Sequence, residues 1–177
     1  MQISRVNKTK FLVQAALIAA LYTALTVSLA PISFGGQQFR VAEALAVLPA
    51  ITPAAIPGLF IGCILSNTFS FMGLADMVFG SLATLIAAVA TYYAAKAVGN
   101  GSIILKLALI PMPPVVINTF IIGAMLKFIV GIPFPVAAFG VFIGQMCACY
   151  IIGCPLYLTI YNLQKNKSIN LILKVKD

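Results

Sequence analysis

From Phe11 to Leu163 the chain is a succession of apolar runs divided by short turns of proline, glycine and a few polar residues. Such runs find their solvent in a bilayer, where every backbone N–H and C=O must be paired inside the chain and each polar side chain is costly. An all-α integral membrane protein is the expected fold class. Composition agrees, with 62% hydrophobic residues, three acidic residues and no histidine.

At about 20 apolar residues per spanning helix, 177 residues leave room for five or six crossings and no soluble domain. A single membrane domain over 1–177 is expected, with helices at about 11–30, 41–48, 53–69, 74–95, 115–130 and 135–163. Pro31 stops the first. Ile103 to Ile110, apolar around Lys106, reads as a short interfacial segment before the interruption at Pro111, Pro113 and Pro114. The start, with Ser28-Leu29-Ala30 after an apolar stretch, imitates a secretory signal, but the run is long enough to span and cleavage is not expected.

The formal charge of +8 suggests nucleic acid until the positions are read. Arg5, Lys8 and Lys10 precede the first run, Lys165, Lys167, Lys174 and Lys176 follow the last, and Lys96 and Lys106 lie between runs. That distribution orients a multi-pass protein in the cell membrane with both termini cytoplasmic, and it gives no reason for a nucleic-acid partner. The number of crossings is then even. Only Arg40 and Lys127 fall outside.

The second run is the odd one. As an α-helix, Val41 to Leu48 covers only about 12 Å of a hydrocarbon core about 30 Å thick. Dropping it would leave five crossings and put the basic termini on opposite faces. The rest of the depth must therefore come from irregular backbone near 33–40 or 49–53, which survives at that depth only packed in protein or lining a cavity. A six-transmembrane-helix bundle with a short second helix and a polar pocket is the expected architecture.

Glu43 and Asp76, the acidic residues besides the terminal Asp177, fall near the outer side with Arg40 and Asn67. Each has a plain alternative role. Arg40 and Glu43, three apart, can form an interfacial ion pair; Asp76 can cap the fourth helix; Asn67 can close a turn. Asn118 and Gln145 can serve as interhelical hydrogen-bond glue, and Phe39, Phe69 and Phe71 as interface aromatics. Convergence on one half of the bundle favours capture of a solute from outside. Cys63, Cys147, Cys149 and Cys154 lie in apolar stretches without CxxC spacing or histidine, so core packing is expected, and no metal or cofactor. With no histidine and two buried carboxylates the chain lacks the groups of an enzyme, and no catalytic residue is assigned. Ala16, Ala20 and Ala24, flanked by Ala15 and Ala19, form a small-residue stripe whose periodicity alone indicates helix packing, as do Gly80, Thr84 and Ala88 in the fourth helix.

The stretches "APISFGGQQFRVAEALAVLPAITPAAIPGLFIGCILSN", "LADMVFGSLATLIAA" and "PMPPVVINTFIIG" are similar to the queuosine-precursor transporter (QueT) family, whose members resemble S components of energy-coupling factor (ECF) transporters. The likeness runs from about Ala15 to Leu158 and is most specific at Gln38 to Leu45. The family commonly carries a glutamate after the glycine in the sixth helix, where this chain has Gln145. The resemblance implies an S-component-like, solute-binding subunit that works with a transmembrane coupling protein and two ATPases, and the chain itself has no G-x-x-x-x-G-K-[ST] phosphate loop. It also implies that Ala15, Ala16, Ala19, Ala20 and Ala24 form a docking surface for the coupling protein. The implied solute is a deazaguanine, with Asp76 or Glu43 at its base edge, Gln38, Asn67 or Asn118 at its carbonyl, Phe39 or Phe71 stacking, and Arg40 and Gln145 also at the site. An S component for another vitamin, or a small channel or scaffold protein, would share the same general pattern.

Overall fold

The computed structural model describes residues 5–34 and 39–165. Among them every regular element is helical. Helix α1 (Arg5–Ser28) is followed by a single turn at Ala30–Ser33, then α2 (Val41–Ala50), α3 (Ala55–Asn67), α4 (Asp76–Val98), α5 (Ile103–Leu109), α6 (Met112–Val130) and α7 (Phe134–Gln164). Four stretches are long and apolar enough to cross a membrane: Lys8–Ser28, Asp76–Val98, Ile103–Val130 and Phe134–Gln164. Their outward faces carry large apolar side chains such as Leu17, Ile86, Phe120 and Val136, as lipid contact requires.

The short second helix is a 3₁₀ helix of ten residues, opened by the i to i+3 bond from Glu43 N to Arg40 O at 3.0 Å. Its tighter winding rises about 2.0 Å per residue, so it extends about 20 Å. The length expected of it as an eight-residue α-helix was therefore too small. Pro49, expected to end the helix, lies inside it one residue before the end.

All residues from Ala42 to Pro49 are buried, because α2 is the axis around which α1, α3, α4 and α7 pack. The close approach of α7 needs Gly153: a Cβ there would lie 3.1 Å from Val47 Cγ1 and 3.2 Å from the Ala44 carbonyl. Helices α1 and α3 meet through bare backbone as well. A Cβ on Gly58 would sit 2.7 Å from the Ala15 carbonyl, and one on Gly62 2.9 Å from that of Ala19. On the other side α6 pairs with the first half of α7 and α4 lies between α3 and α6. Helix α6 starts at Met112 rather than at the expected Val115, so Pro113 and Pro114 lie in its first turn instead of in an interruption before it, and missing N–H groups cost nothing there.

Two helices contain wide π turns, α4 at Asp76–Gly80 and α7 at Cys147–Gly153. Such turns re-aim side chains and cluster at functional sites. Both flank the buried start of α2.

Candidate functional site

The polar residues scattered along the sequence meet around the first turn of α2. Arg40, the residue before that helix, is 5% exposed, and its Nη2 lies 3.3 Å from Oδ2 of the fully buried Asp76. Its guanidinium also stands over the Phe34 ring, 5.6 Å from the centroid. The ion pair thus joins Arg40 to the π turn of α4, and Glu43, three residues on, takes other partners. Tyr22 of α1 donates its hydroxyl proton to Glu43 Oε1 at 2.6 Å, and Asn118 Nδ2 of α6 donates to Oε2 at 3.3 Å. The interfacial Arg40–Glu43 pair considered from their spacing does not form, and neither residue is at a rim.

Asp76 does not cap a helix with its side chain. Its carboxylate instead accepts from the Ser70 hydroxyl and faces Arg40. Asn67, at the end of α3, donates to the Asp76 carbonyl at 2.8 Å and to Cys63 Sγ at 3.3 Å. Gly80 makes room for this: a Cβ there would be 2.8 Å from Asn67 Nδ2 and 3.6 Å from Arg40 Nη1. Cys63 is also approached by Thr84 Oγ1 at 3.4 Å and Arg40 Nη1 at 3.9 Å, so its sulfur collects three polar contacts in an otherwise apolar interior. From α7, Cys149 donates to the Glu43 carbonyl at 3.5 Å and to Gln145 Oε1 at 3.6 Å.

Between these groups lies a hollow of about 10 Å³, lined by Arg40, Glu43, Gly80, Thr84, Asn118, Ile122, Val141 and Gln145. It is no larger than a water site. In and behind its wall Arg40 Nε and Nη2, Asn67 Oδ1 and Asp76 Oδ1 have no hydrogen-bond partner among the described residues, Nη2 meeting Asp76 only as an ion pair. Buried polar atoms left unpaired are rare and costly. Two are donors on one edge of a guanidinium, and two are acceptors on neighbouring side chains.

Of the sequence-derived candidates, Arg40, Glu43, Asn67, Asp76, Asn118 and Gln145 come together here. Phe39 borders an adjoining hollow. Phe71 does not join the site, being 89% exposed in the connection between α3 and α4. Gln38 lies outside the described residues. Among the described residues no three His, Cys, Asp or Glu side chains form a group that could hold a metal. Tyr22, Cys63, Ser70 and Thr84 belong to the cluster and were missed. Tyr22 had a signal in the sequence, a phenol within an apolar helix, where its hydroxyl needs a partner.

The alanine stripe of α1 divides. Ala15 and Ala19 are buried against α3, so the docking surface implied for all five alanines cannot include these two. Ala16, Ala20 and Ala24 are exposed on the opposite face, beside Leu17 and Leu21. In α4, Gly80, Thr84 and Ala88 face inward.

A family model described as QueT transporter matches residues 12–162. A curated relative, the queuosine precursor transporter QueT of Lactococcus lactis subsp. cremoris (strain MG1363), is 40% identical over 82 residues, which are 45% of this chain and 48% of the relative. The chain thus spans about half the length of the curated relative it matches. No solved structure gives a significant match.

Proposed function

Because the chain belongs to the QueT transporter family, we propose that it is the solute-binding membrane subunit, the S component, of an ECF-type importer, and that its solute is a queuosine precursor or related deazaguanine. A transporter rather than an enzyme is what membership means. One observation carries the finer reading: a helical membrane protein buries a guanidinium, two carboxylates and three carboxamides in one cluster beside a hollow that four of them line, with donor and acceptor atoms lacking hydrogen bonds. Polar groups so expensive in a bilayer mark the path or seat of a polar solute.

The chemistry is complementary. The pyrimidine edge of a deazaguanine presents adjacent N–H donors, which a carboxylate accepts as a pair, and a carbonyl, which suits a guanidinium or carboxamide. The cluster has one more carboxylate than cation, which favours a solute with a cationic side arm such as an aminomethyl group. Ligand pockets occupy about 300–1,000 Å³, so the hollow must open around the solute, and exchange of the Arg40–Asp76 contact for contacts to the base supplies a way to do so.

In this reading the chain crosses the membrane six times, α2 and α3 being the short crossings, with both termini in the cytoplasm. The face of α1 bearing Ala16, Ala20 and Ala24 docks the transmembrane coupling protein, which carries two ATPases. Small residues there permit close helix approach. Mass spectrometry of the solute that co-purifies, followed by calorimetric titration of the stripped protein with deazaguanines, tests the assignment. A bound deazaguanine is expected; a different vitamin, or ion conductance without a bound solute, overturns it.

A further inference from the structure

A second hollow, of about 230 Å³, takes its walls from Phe39, Phe139, Gly140, Ile143 and Gly144. Three of these are chain neighbours of residues that line the polar hollow: Phe39 precedes Arg40, Gly140 precedes Val141, and Gly144 precedes Gln145. The same two segments therefore line both hollows, with charge and amide at the polar one and two phenyl rings with glycine backbone at the other, which is open enough to leave Phe139 67% exposed. Gly140 differs from the glycines at helix contacts. A Cβ built on it meets no atom within 4 Å, whereas Gly58 and Gly62 have backbone atoms within 3 Å. Close helix packing is therefore not what Gly140 serves; it leaves open space.

A planar heteroaromatic solute has a polar rim and two apolar faces, and it needs both kinds of wall at once. Resting on the deazaguanine reading above, we propose that this hollow is the ring subsite, in which the bicyclic ring lies against Phe39 and Phe139 beside Gly140 while its hydrogen-bonding edge meets Arg40 and Gln145. Phe139 is then a specificity residue for flat aromatic solutes. The small polar hollow, opened by exchange of the Arg40–Asp76 contact, then reads only the rim of the molecule.

The chain contains no tryptophan, so Phe139→Trp introduces a single indole at the subsite. Purified Phe139→Trp is titrated with 7-deazaguanine and its 7-aminomethyl derivative by fluorescence and calorimetry, with Tyr93→Trp, exposed at the end of α4 away from Asp76, as the remote control. The emission of Phe139→Trp should be quenched with the calorimetric midpoint and that of Tyr93→Trp should not change. Gly140→Leu, which fills the open space, should lower affinity at least tenfold at an unchanged melting temperature. If Phe139→Trp no longer binds, the same titration of Phe39→Trp decides. Wild-type binding by calorimetry without quenching of the bound indole variant overturns the ring subsite and leaves the proposed function standing. Absence of wild-type binding to either base overturns the deazaguanine reading, and the subsite with it.

Discussion

Replacing Asp76 by Asn is expected to destabilise the solute-free protein by about 3–5 kcal/mol, the usual loss when one member of a buried ion pair is neutralised. The substitution keeps the size of the side chain and an oxygen for the Ser70 hydroxyl, but it removes the charge opposite a guanidinium that is 5% exposed and 3.3 Å away. At that separation and an effective dielectric constant of about 20 the direct attraction is about 5 kcal/mol, and Arg40 remains desolvated after it is gone. Glu43 is the internal comparison. Its carboxylate is held by the neutral donors Tyr22 and Asn118, so Glu43→Gln weakens charge-assisted hydrogen bonds for about 1–2 kcal/mol. Thermal unfolding in detergent can be followed with a thiol-reactive fluorophore, because Cys63 and Cys149 are buried until the bundle opens. At about 2–4 °C per kcal/mol for a chain of this size, Asp76→Asn should melt roughly 6–20 °C lower and Glu43→Gln only a few degrees lower. Adding Arg40→Met to Asp76→Asn should restore part of the loss, since an apolar pair replaces an unpaired charge. The reasoning is refuted if Asp76→Asn melts no lower than Glu43→Gln, or if the double substitution melts lower than Asp76→Asn alone.

Either Asp76→Asn or Glu43→Gln should weaken binding of an aminomethyl deazaguanine at least tenfold more than binding of its nitrile analogue, because only the carboxylate facing the ammonium distinguishes the two; titration of both variants with both solutes assigns the roles, and equal losses for the two solutes would remove the carboxylate from the side arm. Arg40→Ala should lower both solute affinity and melting temperature, because it leaves Asp76 buried without its cation, and a loss of affinity alone would show that the ion pair is not structural. Ala16→Phe with Ala20→Phe should abolish pull-down of the coupling protein at unchanged solute affinity, whereas Ala19→Phe should melt the bundle by forcing α1 from α3. Gly62→Ala should cost about 1–3 kcal/mol through overpacking, against no measurable change for Gly140→Ala, with melting temperatures as the readout.

The long helices were legible because their signal is additive: each apolar residue of α4 or α7 argues for the same placement in lipid, and no single position decides. The π turns were not, since a one-residue widening at Asp76–Gly80 or Cys147–Gly153 leaves the apolar pattern intact and depends on what packs beside it. The 3₁₀ winding of α2 was hidden for the same reason. That helix is buried between four others, a setting its own residues do not announce. Membership of the site was legible for Arg40, Glu43 and Asp76 because charge in an apolar chain has few permitted places. Pairing among them was not legible. Spacing put Arg40 beside Glu43, but the start of α4 brings Asp76 to the guanidinium and the inner face of α1 brings Tyr22 to Glu43. Phe71 misled because the sequence shows an aromatic near polar residues without showing which way its connection turns.

A helix with three residues per turn is a prism, with side chains stacked along straight edges rather than winding around a cylinder. In α2, Ala42, Leu45 and Leu48 form the edge packed with Ile18, Tyr22 and Leu59, while Ala44, Val47 and Ala50 face Gly153, Ile110 and Tyr157. Glu43, Ala46 and Pro49 are left to form the third edge, with one polar group on it. The bundle thus reads α2 in a frame of three. A single inserted residue between Val41 and Glu43 would turn every later side chain by one full edge, carrying the carboxylate away from Tyr22 and Asn118 toward the glycine on α7 and delivering leucines to the edge that Glu43 holds. An insertion of three would return each side chain to its own edge, displaced along the axis by about 6 Å.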